Sequence, residues 1–154
     1  MNNQELSKKV RAACERQIRT RGYIAPVDIL MDIGVLTKAK YEDWRFGRVP
    51  YLEQVCNTNL SKLSLIMKEI RSYSSKNGYK ESFTYYRRWG AKNRSALRNT
   101  ALRFSKSNTP AIEKAYATHY LCTKRIEELK QQKQTKEISG REEQQDETQQ
   151  TYSS

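Results

Sequence analysis

Near the start of the chain Leu6, Val10, Ala13, Cys14 and Ile18 recur three and four residues apart, with Lys8, Lys9, Arg11, Arg16 and Arg19 around the rest of the wheel. This spacing predicts an amphipathic helix, and Gly22 marks its end because glycine readily takes the left-handed conformation that closes helices. Ala25-Pro26-Val27-Asp28 reads as a second helix start with proline at an early position, and Gly34 limits it to about two turns. Thr37 can cap a third helix through Trp44 and Arg45, which Gly47 stops, and Pro50 opens a further short helical piece. The strongest periodicity is Leu60, Leu63, Ile66, Met67, Ile70 and Tyr73, preceded by capping residues at Asn57-Thr58-Asn59. This helix is expected at the centre of the core.

After Asn77-Gly78 the pattern changes. Phe83, Tyr85, Tyr86, Trp89, Leu102 and Phe104 sit in short β-compatible runs, which predicts a short hairpin near residues 83–104. Thr109-Pro110 restarts a helix whose Ile112, Ala115, Tyr116, His119, Ile126 and Leu129 share one stripe. From about Gln131 to Ser154 the chain is Gln, Glu, Lys and Ser with almost no apolar side chains, a composition expected to be disordered. The fold class is therefore mainly α: a small helical bundle forming one basic domain over residues 1–130, followed by a polar tail over 131–154. No repeat of the period used by helical arrays is visible.

Composition sharpens this picture. Hydrophobic residues make up 36% of the 154 positions and ten are tyrosines, so the core is expected to be small, with tyrosine along its edges. No stretch approaches the roughly 18–20 apolar residues of a membrane span, and MNNQELSKKV lacks the apolar run of a secretory signal, so a cytoplasmic protein without a membrane partner is expected. Cys14, Cys56 and Cys122 are widely separated and read as reduced apolar fillers rather than a zinc site or disulfide framework.

The net charge is +12 and is unevenly placed. Residues 71–106 hold ten Lys and Arg against Glu81 alone, whereas residues 26–48 balance four bases with four acids. Within the basic half, Tyr85, Tyr86, Arg87, Arg88, Trp89, Lys92, Arg94, Arg98, Arg103 and Lys106 interleave aromatic and cationic side chains. Cations hold phosphates by releasing condensed counterions, and aromatic faces stack on bases, so these ten residues form a candidate nucleic-acid-binding surface. The competing reading is an aromatic core beneath a solvated charged face. Residues 26–45 have the size of a helix-turn-helix, with Lys38, Lys40, Tyr41 and Arg45 on the second helix, but the zero net charge of residues 26–48 favours a structural helical hairpin.

Catalytic candidates are sparse. His119 lies on an apolar stripe without an accompanying nucleophile or ligand set and reads as a hydrogen-bonded core or edge histidine. HExxH, Walker, GxGxxG and CxxC patterns are absent, so no cofactor or catalytic residue is expected. Asp28, Asp32, Glu42 and Asp43 supply the carboxylates for a Mg²⁺ site only if the fold gathers them.

Three stretches, Tyr23-Ile24-Ala25-Pro26-Val27-Asp28, Trp44-Arg45-Phe46-Gly47-Arg48-Val49-Pro50-Tyr51-Leu52-Glu53 and Asn59-Leu60-Ser61-Lys62-Leu63, together with Leu102-Arg103-Phe104-Ser105-Lys106-Ser107 and Ala117-Thr118-His119, resemble a family of small uncharacterised bacterial proteins. The resemblance covers roughly residues 21–120. It implies a bacterial origin and a recurring domain, and carries no activity or functional residue with it. The expectation is thus a nonenzymatic DNA- or RNA-binding protein. A module binding an acidic protein and a small metal-dependent nuclease stay open as second and third readings.

Overall fold

The computed structural model describes residues 2–90 and 101–152, with side chains described as far as residue 138. The helices are α1 (Asn3–Arg21), α2 (Pro26–Asp32), α3 (Lys38–Arg45), α4 (Leu60–Lys76), α5 (Pro110–Ala117) and α6 (Thr123–Tyr152), with a 3₁₀ turn at Leu52–Val55. Three short strands, β1 (Tyr23–Ile24), β2 (Lys80–Phe83) and β3 (Thr118–Leu121), form an antiparallel sheet in the order β1-β3-β2.

Helix ends follow their capping chemistry. The Asn2 side chain accepts a hydrogen bond from the Glu5 N–H, Thr37 from Lys40, and Asn59 from Lys62, each satisfying a donor that the first helical turn leaves open. Gly22 closes α1 at φ 85°, its N–H shared between the carbonyls of Gln17 and Ile18. α1 buries Leu6, Val10, Ala13 and Cys14, and α4 buries Leu63, Ile66, Ile70 and Ser74. These two helices pack against each other, with Val27, Ile29 and Leu30 of α2 in the same core. α4 supplies Leu63, Ile66 and Ile70 to the core, but α1, packed against α2, α4, α6 and β1, is the more central helix, and Leu60 at the first turn of α4 is exposed and Tyr73 only half-buried.

A second, aromatic part of the core surrounds Trp44, which is fully buried. Its ring lies 5.5 Å from Tyr86 and 5.2 Å from Phe104, and Phe104 stacks on Tyr116 at 5.4 Å. The continuous helix expected from Thr109 to Leu129 is instead interrupted. α5 stops at Ala117, and Thr118–Leu121 becomes the central strand, paired with Tyr23–Ile24 on one side and Lys80–Phe83 on the other. Backbone pairing with two distant segments outweighs the helical spacing of Tyr116, His119 and Ile126. The arms of the expected hairpin do meet, through a bridge between Arg87 and Ala101 and a 2.8 Å bond from the Leu102 N–H to the Tyr86 carbonyl. Its first strand, however, ladders with β3.

The polar C-terminal segment leaves the core as the continuation of α6. Arg125 ties the start of that helix to the Arg19 carbonyl, Ile126 and Leu129 are half-buried, and every residue from 131 to 138 is exposed. Among the described residues no helix is long and apolar enough to cross a membrane.

Candidate nucleic-acid interface

The described residues on either side of 91–100 form two tightly held arms. On the outgoing arm the Trp89 N–H donates to the Arg45 carbonyl at 2.6 Å, and Tyr86 is buried, its hydroxyl 3.0 Å from His119 Nε2. On the returning arm the Arg103 carbonyl accepts from Trp44 Nε1 at 2.8 Å and from the Leu52 N–H at 3.2 Å. Two carboxylates complete the anchorage. Glu113 accepts from the N–H groups of Phe104 and Ser105 and from the Ser105 hydroxyl at 2.7–2.9 Å, and Glu53 accepts from the Lys106 N–H and the Tyr116 hydroxyl. Charge-assisted bonds of this kind are roughly twice as strong as neutral ones, so these two half-buried carboxylates fix the returning arm in place.

The ten side chains singled out from the sequence divide on these arms. Tyr85 is 64% exposed, and Arg87, Arg88 and Lys106 are exposed as well. Trp89 is 38% exposed, wedged edge-on against Tyr41 at 5.7 Å and Phe46 at 5.6 Å, with the Arg45 guanidinium 4.6 Å from its ring centre. Two residues have a different part. The Tyr86 ring belongs to the core, 7% exposed, and is not presented for stacking. Arg103 turns its guanidinium back to the carbonyls of Ser105 and Lys106 and lies over the Tyr51 ring, bracing the returning arm. Lys92, Arg94 and Arg98 lie outside the described residues. Phe83, 48% exposed and 4.9 Å from Tyr85, joins the surface although the sequence reading left it out. The signal was present in the alternation, since residues 83 and 85 share one side of an extended chain and 84 and 86 the other.

The helix-turn-helix candidate is present as two helices, α2 and α3, but its second helix is occupied. Trp44 is buried, Tyr41 and Arg45 pack against Trp89, and Asp43 pairs with Arg48 at 3.1 Å. Asp28, Asp32 and Glu42 line one pocket of about 530 Å³, but Arg16, Arg21 and Lys38 line it with them. Asp28 pairs with Arg21 at 2.8 Å and Asp32 accepts from Gln17 at 2.9 Å; among the described residues no group of three His, Cys, Asp or Glu side chains is placed to hold a metal ion. His119 is half-buried, stacked on Tyr23 at 5.8 Å, and burial holds its pKa below the ordinary histidine value. Cys14 and Cys56 are free thiols that burial pushes up to about 12, as fits inert packing groups.

No family model, curated protein or solved structure compared with this chain matches it.

Proposed function

We propose that this protein is a nonenzymatic nucleic-acid-binding protein of the bacterial cytoplasm, holding phosphates through Arg87, Arg88 and Lys106 at the base of the segment that carries Lys92, Arg94 and Arg98. The observation that carries the reading is the presentation of Tyr85, Arg87, Arg88 and Lys106 to solvent from two arms whose backbone is fixed by Arg45, Trp44, Glu53 and Glu113. A fixed base lowers the ordering cost of binding, and clustered cations release counterions from a phosphate backbone. Trp89 completes the aromatic part of the surface. Phosphate contacts of this kind supply affinity and orientation without sequence preference.

Fluorescence anisotropy of labelled DNA and RNA across a salt series tests the proposal. Each phosphate neutralised contributes about 0.9 to the log-log salt slope for duplex DNA, so the Arg87→Ala/Arg88→Ala double variant is expected to lower the slope by about two and weaken binding at low salt. A slope unchanged in that variant removes these residues from the interface, and absence of binding to any nucleic acid at low salt rejects the proposal.

An acidic protein partner is the second reading, and one feature favours it. A groove of about 250 Å³ between α4 and α5, floored by Leu63, Met67, Ile112 and Tyr116, has Lys68 and Arg71 at its margin. Recovery of the same partner before and after nuclease treatment would select this reading over the first.

A further inference from the structure

Beside the basic arms lies a groove of about 500 Å³, within the size range of ligand sites, bounded by Phe83, Tyr85, Leu102, Asn108, Lys114 and Ala117. Resting on the nucleic-acid reading above, we infer that this groove receives an unpaired base, so that the preferred ligand is single-stranded nucleic acid. Phe83 and Tyr85 meet edge to face, at an interplanar angle of 79°, and remain 48% and 64% exposed. Large aromatic surface left open beside cations is useful to a ligand that offers π-faces. In a duplex those faces are covered by the neighbouring base pairs, whereas in a single strand each base can leave the stack and lie on an aromatic ring.

The polar groups around the groove suit such a base and its phosphate. The Glu113 carboxylate, the acid among the lining residues, is already bound by three donors from Phe104 and Ser105, so its oxygens face those groups. Lys114 is exposed on the same wall and supplies a cation for the adjoining phosphate. Asn108 is held at φ 54° with its backbone N–H on the Ser105 hydroxyl, and its side-chain amide has no hydrogen-bond partner among the described residues. An amide offers both a donor and an acceptor to a base edge.

The full chain is titrated against a fluorescein-labelled oligothymidylate and against a duplex of equal length, with Phe83→Ala/Tyr85→Ala, Tyr85→Trp and Arg87→Ala/Arg88→Ala alongside. The single strand is expected to bind more tightly than the duplex at every salt concentration. Phe83→Ala/Tyr85→Ala should weaken single-strand binding by about 5- to 150-fold per stacked base with the salt slope unchanged, while Tyr85→Trp retains it and shows tryptophan quenching on binding. Equal affinity for both ligands, or an aromatic double variant that binds the single strand like the parent, overturns the inference; the salt slope and its reduction in the arginine variant then still support phosphate binding. Failure to bind either ligand overturns both.

Discussion

His119 illustrates how one side chain reports its surroundings. It lies half-buried between Tyr23 and Tyr86, and loss of hydration disfavours its imidazolium, so the folded ring takes a proton less readily than the ordinary value of 6.5. The unfolded chain then binds more protons than the folded one in the window below 6.5. Its contribution to stability is complete above that pH and is lost as pH falls from 6.5 toward the folded value. A melting temperature followed from pH 7.5 to 5.0 should therefore decline, and His119→Gln, which cannot titrate, should flatten the decline; an identical decline in the variant would assign it to other groups. The sequence reading of His119 as a hydrogen-bonded edge residue agrees with this position. It was less successful with Tyr85-Tyr86 and Arg103, because which of two adjacent tyrosines points inward depends on strand register. That register is set by the distant Thr118–Leu121 segment, and the role of Arg103 depends on carbonyls that only the folded turn brings within reach.

At the scale of elements, the junction of α1, β1 and α6 depends on Gly22. Its φ of 85° favours glycine, and a Cβ there would stand 2.6 Å from Ile126 Cγ1 and 3.0 Å from the Ile126 backbone nitrogen. Gly22→Ala should destabilise the protein by more than about 1 kcal/mol in urea denaturation. Gly34, with φ 79° but nothing within 4 Å of the same Cβ position, isolates the conformational cost alone, so Gly34→Ala should lose less. Equal losses would mean that the approach of α6 is not what Gly22 serves. α1, α3 and α4 were legible because a side-chain cap opens each of them, and α1 and α4 add a buried apolar stripe, while α2 and α5 announce themselves by proline in the first turn. The central strand was not, since four residues are too few for a period to declare itself and its neighbours on both sides continue a helical spacing. Only its partners, Tyr23–Ile24 and Lys80–Phe83, distinguish it, and both lie far away in the sequence.

For the whole molecule, charge and packing are separated in space. Glu53 and Glu113 lie near the basic arms but direct their oxygens to backbone N–H groups, the Ser105 hydroxyl and the Tyr116 hydroxyl. Residues 131–138 of the polar extension are all exposed and add nothing to the core. A chain ending at Lys130 should keep its melting temperature within about 2 °C, measured by circular dichroism, and a larger fall would show that the extension packs on the body. The sheet order β1-β3-β2 bears on how this molecule comes to be made. As synthesis proceeds from the N-terminus, both flanking strands are made before Thr118–Leu121, and neither has its ladder partner until that segment emerges. α1 and α4 can dock early, but two unpaired edges wait for a strand supplied late. The nascent chain is therefore most open to misassociation just before its centre arrives.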